Sequence, residues 1–250
     1  TGSNTGIGYH MAHSLAAKGA CVIMACRNLE KAALARKKIL KDFPEADIKL
    51  YQLDLADLEN ISNFAKKFID ENERLDVLIN NAGVMIPPYS KTKNNFELQF
   101  GTNHLGHFSL TGLLLPLMEK NKGGRIITVS SIAHNPGVVD FEDLNSERKR
   151  YNKWGSYSQS KISNLYFAIE LDRRLRTKGY STISLGSHPG YSNTELQRYS
   201  IFWRILNIFF AMSAKKGAEA TLFAATEPKA TEYIYWGPTG IIEMLSLIHI

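Results

Sequence analysis

The chain reads as an α/β protein built on one doubly wound parallel sheet, and three observations predict it. Short apolar runs alternate with longer stretches of helical period, as strands joined by crossover helices do. The chain opens on a glycine-rich turn, Thr1-Gly2-Ser3-Asn4-Thr5-Gly6-Ile7-Gly8, that leads into helical sequence. Small, polar and glycine residues recur where the apolar runs end, which is where an open parallel sheet binds its ligands.

In order along the chain, Tyr9 to Lys18 has the character of a helix behind the glycine turn. Cys21-Val22-Ile23-Met24-Ala25 reads as a buried strand. Asn28 is an N-cap for a helix through Lys41, and Pro44 marks its end. Ile48 to Leu53 is a strand, Leu58 to Asn72 a helix, and Val77 to Asn80 a strand. Asn95 to Glu119 reads as one long helix with Pro116 near its end. The turn Lys122-Gly123-Gly124 leads into a strand from Arg125 to Ser130. A long helix from Ser156 to Thr177 stops at Lys178-Gly179. Ser181 to Leu185 is a strand, Lys215 to Thr226 a short helix and Tyr233 to Trp236 a last strand. There is no internal repeat and no linker, so residues 1–250 read as a single domain.

The formal net charge of +6 comes from scattered basic residues. Solvated helix faces explain these better than a nucleic-acid surface does, although a positive balance suits an anionic ligand. The two cysteines, Cys21 and Cys26, would stand ~16 Å apart on one strand, too far for a disulfide. Both are expected to be buried thiols, and nothing points to an oxidising compartment. No apolar run reaches the ~18 residues of a membrane span. The expectation is a cytoplasmic protein, with an upstream signal or anchor left open, and no metal site.

A glycine turn ahead of a helix brings free N–H groups and a partial positive charge to a phosphate. Its spacing, G-x-x-x-G-x-G, is not the G-x-G-x-x-G of the usual dinucleotide fingerprint, so an ordinary turn stands as the alternative. Such a loop normally follows a strand, and no strand precedes Thr1. Either the chain is a fragment or the loop has another role.

Four motifs together resemble the short-chain dehydrogenase/reductase family over nearly the whole length. They are T-G-x-x-x-G-I-G at Thr1 to Gly8, N-N-A-G at Asn80 to Gly83, Y-x-x-x-K at Tyr157 to Lys161 and the P-G turn at Pro189-Gly190. Three further stretches are similar to the retinol-dehydrogenase-like branch, which includes the WW-domain oxidoreductases. These are Ala25-Cys26-Arg27-Asn28, Asn103-His104-Leu105-Gly106-His107-Phe108 and Val129-Ser130-Ser131-Ile132-Ala133-His134; the branch also carries a long insertion like that from Asn135 to Trp154. The resemblance implies a Rossmann-type sheet whose first strand is missing from this fragment. It also implies an alcohol–carbonyl oxidoreductase.

Tyr157 and Lys161 are one helical turn apart and share a face. A tyrosine titrates near 10, too high for proton transfer at neutral pH, and a nearby ammonium is expected to lower it. The resemblance makes Tyr157 the general acid/base and Ser131 the hydroxyl that stabilises charge on the substrate oxygen, with Ser130 as the alternative. It makes Asn103 a residue that helps hold a water linking Lys161 to solvent.

For the cofactor, the resemblance implies that Gly2, Ser3, Asn4, Gly6, Ile7 and Gly8 cradle a pyrophosphate. Asp54 and Leu55 would meet the adenine, and Asn81, Ala82 and Gly83 the ribose side. Pro189, Gly190, Ser192 and Thr194 would meet the nicotinamide carboxamide, alongside Tyr157 and Lys161. NAD-binding relatives put an acid after the second strand. Here Cys26-Arg27 stands there, and an arginine pairs with a 2′-phosphate, so the expected cofactor is NADP(H). The apolar segment Tyr199 to Ala214 is expected to form a lid over a lipophilic alcohol or carbonyl, with membrane contact as the rival reading. A homodimer through the two long helices is a family expectation.

Two other functions compete. A nucleotide-sugar epimerase or dehydratase shares Tyr-x-x-x-Lys but resembles a different glycine spacing. A non-catalytic NADP-binding sensor would have lost the tyrosine or the lysine. At the other end, Leu245 to Ile250 resembles a translated library adapter and is expected to make few core contacts. An empty slot is expected between the Val22 and Val77 strands.

Overall fold

The computed structural model describes residues 1–190 and 213–238, together with the backbone of Leu247–His249. Its elements alternate as the sequence pattern requires: α1 (Gly6–Ala17), β1 (Val22–Cys26), α2 (Leu29–Asp42), β2 (Ile48–Gln52), α3 (Leu58–Glu71) and β3 (Val77–Asn80). Then come α4 (Leu98–Phe100), a π turn (Gly101–Leu105), α5 (Gly106–Asn121), β4 (Arg125–Val129), α6 (Lys153–Thr177) and β5 (Ile183–Ser187). Two short helices, α7 (Ala214–Gly217) and α8 (Glu219–Thr226), lead to β6 (Tyr235–Pro238) and the edge strand β7 (Leu247–His249).

β1 and β2 form one parallel pair, while β3-β4-β5-β6-β7 form a second sheet, parallel except for its antiparallel β6–β7 edge. Consecutive residues bridge the two sheets at their carboxyl ends. The Thr1 nitrogen donates to the Ile79 carbonyl and the Gly2 N–H to the Ala25 carbonyl, both at 2.9 Å. β1 and β3 therefore face each other across room for one strand, about two strand spacings or ~10 Å. Among the described residues no strand lies between them, in keeping with the expected slot.

Side-chain alternation along the strands sorts the core onto two faces. Ala25, Leu78 and Ile126 join Ile61, Phe64 and Phe68 of α3 and Leu110, Leu114 and Met118 of α5. On the opposite face Met24 and Cys26 pack on α1 and α2, and Ile127 and Leu185 on α8. The sheet is thus wound on both sides. No described helix is long and apolar enough to cross a membrane.

Several expectations need correction. The long helix does not start at Asn95, which takes a positive φ of 65° and closes a turn against Thr92. The helix begins only after Glu97, whose buried carboxylate accepts from the Gln99 and Phe100 N–H groups. It then widens into the π turn before continuing past Pro116 to Asn121. Gly106, which closes that turn, lies where a Cβ would come within 2.4 Å of the Leu55 carbonyl oxygen. The helix expected from Lys215 to Thr226 is divided at Ala218. Cys21 is exposed, because β1 begins one residue later, whereas Cys26 is buried. Leu247–His249, within the tail expected to make few core contacts, pairs with β6 at the sheet edge.

Candidate active site

Ligands of such a sheet bind at its carboxyl edge, and β4, α6 and the turn after β3 bring the residues expected to be catalytic there. Asn152 caps α6 through the Trp154 and Gly155 N–H groups, so the helix starts before Tyr157 and carries it a full turn ahead of Lys161. Both side chains are buried, with the Lys161 ammonium 5.8 Å from the centre of the Tyr157 ring. Lys161 Nζ donates to the Val129 carbonyl at 3.2 Å.

The adjacent serines have different surroundings. Ser130 is buried, and its hydroxyl donates to the Lys161 carbonyl at 2.7 Å. Ser131 is half-buried at the end of β4, where its hydroxyl accepts from the Ala133 N–H and interacts with the Tyr157 phenol. Burial pushes that phenol up to about 12, opposed by the Ser131 hydrogen bond. The phenol is therefore raised and not lowered as expected: the penalty for an anion in a buried site exceeds the help from Ser131, and the Lys161 ammonium donates to a backbone carbonyl and not to the phenol. The same burial pushes Lys161 down to about 8.

Asn103 lies fully buried in the π turn, a local widening often associated with function. Its Oδ1 accepts from the Val84 N–H at 2.8 Å, and its Nδ2 donates to the Val84 carbonyl and to Ser160 Oγ. The amide clasps protein rather than reaching towards Lys161. Gly83 makes room for both, since a Cβ there would stand 3.1 Å from Asn103 Oδ1 and 3.8 Å from Lys161 Nζ.

The residues expected at a dinucleotide line the neighbouring strand ends. Gly2, Ser3 and Asn4 form the turn ahead of α1, and Gly6, Ile7 and Gly8 its first turn, which carries no acidic residue. Arg27 is exposed directly after β1. Asp54 is engaged by its own turn, accepting from the Ala56 N–H, and the Leu55 side chain faces the core. Asn81 donates through Nδ2 to the Thr1 carbonyl, beside Ala82. Gly190 turns at φ 65° after Pro189, its N–H donating to His188 Nδ1. Ser192, Thr194 and nearly all of the expected lid lie outside the described residues.

Sequence reasoning did not single out His107, His134, His188 or Tyr235 for a role. His134 donates from Nδ1 to the Ser131 carbonyl at 2.7 Å, and Tyr235 stacks on His188 and meets His134 edge-on. Two of these histidines sit inside motifs already noted, N-H-L-G-H-F and V-S-S-I-A-H, which was the available signal. Among the described residues, no three His, Cys, Asp or Glu side chains cluster as metal ligands would.

Residues 1–203 match the family model described as short chain dehydrogenase. The chain is 45% identical to human retinol dehydrogenase 11 over 228 residues, covering 90% of this chain and 71% of that protein. It is 47% identical to human retinol dehydrogenase 13 over 200 residues, 80% of this chain and 60% of that one. An uncharacterized protein from Mycobacterium paratuberculosis superposes with a TM-score of 0.82 at 40% identity, over 100% of this chain and 82% of that one. A short chain dehydrogenase/reductase from Burkholderia phymatum, solved with NAD, shares the fold at a TM-score of 0.71 and 18% identity, over 94% of this chain and 86% of its own.

Proposed function

Because this chain belongs to the short-chain dehydrogenase family, an oxidoreductase family, we propose that it interconverts an alcohol and a carbonyl on a lipophilic, retinoid-like molecule with NADP(H). The observation that carries this is Tyr157, Ser131 and Lys161 gathered at the carboxyl end of β4, with Lys161 5.8 Å from the Tyr157 ring. The residues present fit such a cofactor. The first turn of α1 lacks acidic residues and offers N–H groups to a pyrophosphate, and exposed Arg27 can pair with a 2′-phosphate. The nicotinamide, when bound, supplies or accepts the hydride.

The protein's own residues handle the proton. With its pKa pushed up to about 12, Tyr157 holds its proton at neutral pH and can donate it to a carbonyl oxygen. Ser131 steadies charge on that same oxygen. Lys161, at about 8, is still largely protonated at neutral pH, so its charge favours the phenolate that donation leaves behind. Asn103 acts through its clasp on Val84 and Ser160. The reading of the substrate as lipophilic is supported by the names of the relatives and by the exposed apolar side chains Val138 and Phe141 on the segment leaving the site. Exposed Phe108, Tyr166 and Ile169 on α5 and α6 suit a homodimer face.

The test is NADPH oxidation against retinal and a panel of apolar aldehydes and ketones, repeated with Tyr157→Phe. Turnover should fall by about 10²–10⁴-fold, while NADPH still binds. Near-normal turnover in the variant would sink the assignment of Tyr157, and a panel without a substrate would sink the reading.

A further inference from the structure

We propose that His107 is a positioning residue that ties the glycine turn and the Asn81–Ala82 turn to the backbone of Asn103, holding the cofactor side of the site in step with the Tyr157 side. The imidazole is 1% exposed at the start of α5. Its Nδ1 lies 2.9 Å from the Asn103 carbonyl oxygen and its Nε2 3.0 Å from Thr1 Oγ1. A carbonyl can only accept, so Nδ1 carries the proton and Nε2 accepts from the Thr1 hydroxyl. The Thr1 oxygen in turn accepts from the Asn81 and Ala82 N–H groups, each at 3.0 Å. The competing acceptor for that hydroxyl's proton is the Ile79 carbonyl, at a longer 3.3 Å.

The chain of contacts continues beyond Asn103. Its amide donates to Ser160 Oγ, and Ser160 donates to the Tyr157 carbonyl at 2.7 Å. One neutral ring therefore stands between the loop proposed to hold the cofactor and the helix turn that carries the proposed acid. Burial supports its neutrality by pushing the imidazole down to about 3, against the opposing bond to Asn103.

The inference rests on the proposed function for its cofactor, and its test separates the two. Asparagine at this position keeps a donor near the place of Nδ1 and loses the reach to Thr1. Glutamine can place an acceptor near Nε2 and lose the bond to Asn103. His107→Asn should weaken NADPH binding about tenfold with kcat nearly unchanged. His107→Gln should lower kcat about tenfold with NADPH binding nearly unchanged; each is the effect of about one hydrogen bond. A change in stability alone, or the same change in both variants, overturns the proposal. If the unmodified chain binds neither NADPH nor NADH, the proposed function fails and the inference with it. If it binds and the variants do not separate, only the inference fails. A second measurement needs no variant: the ¹⁵N shifts of His107 in the unmodified protein should show a proton on Nδ1 and none on Nε2. The opposite tautomer, or titration near the ordinary histidine value of about 6.5, overturns the proposal.

Discussion

At the scale of single residues, Arg27 offers the sharpest test of cofactor choice. It is exposed at the carboxyl end of β1, directly after buried Cys26. Charge-assisted bonds to a phosphate contribute about 1.5–3 kcal/mol, and an acid in the same place adds repulsion. Arg27→Asp should therefore shift the ratio of kcat/KM for NADPH over NADH by at least about tenfold towards NADH. An unmodified enzyme that uses both cofactors equally well would contradict this reading of Arg27. The pairing of Tyr157 with Lys161 could be read from spacing alone, because a four-residue step on a helix sets which side chains meet. The different settings of Ser130 and Ser131 could not, since both end the same strand and only the packing of α6 draws one of them inward. The direction of the Tyr157 pKa was equally hidden, because it depends on burial, which spacing along the chain does not reveal.

At the scale of elements, most strands and helices were legible to within one or two residues, since apolar period and caps such as Asn28 and Asp57 are local signals. The largest exception is the helix carrying Asn103. The pair Asn94-Asn95 suits a helix cap and a left-handed turn alike, so local sequence does not choose between them. The π turn is bounded by Gly101 and Gly106, which lie against Thr92 and Leu55, and Leu55 is distant in sequence. Gly106 is where that packing is tightest. In Gly106→Ala the new methyl meets the Leu55 carbonyl, which is backbone and cannot swing aside. Overpacking of this kind costs about 1–3 kcal/mol, so the urea midpoint should fall. NADPH binding should weaken too, because Leu55 borders the proposed adenine site. A variant with an unchanged midpoint would show that the turn yields more easily than its contacts imply.

For the molecule as a whole, buried histidines should govern the acid side of stability. His107 is pushed down to about 3 and His188 to about 4, in each case by burial first. In the unfolded chain both take up a proton near 6.5. Below that pH the unfolded state binds more protons, so stability falls by about 1.4 kcal/mol per pH unit for each such histidine. The His188 loss should level off near its folded value, and that of His107 one unit lower. Denaturant midpoints measured from pH 7 to 4 should show this slope, and His107→Gln should roughly halve it, leaving the His188 share; a flat profile in the unmodified protein would refute it. The segment between β4 and α6 bears on the whole surface in another way. Its basic residues Arg148, Lys149 and Arg150 are exposed. Yet the Asp143 carboxylate accepts from the Glu147, Arg148 and Lys149 N–H groups, Asn145 accepts from the Glu97 N–H, and Gln159 donates to the Leu144 carbonyl. To trypsin these are abundant targets in a backbone that is already curled and bonded, whereas a protease needs an extended strand to cut. Nicking there waits for the segment to unwind from Asp143, so the rate of digestion reports how often this surface opens and not how much of it faces solvent.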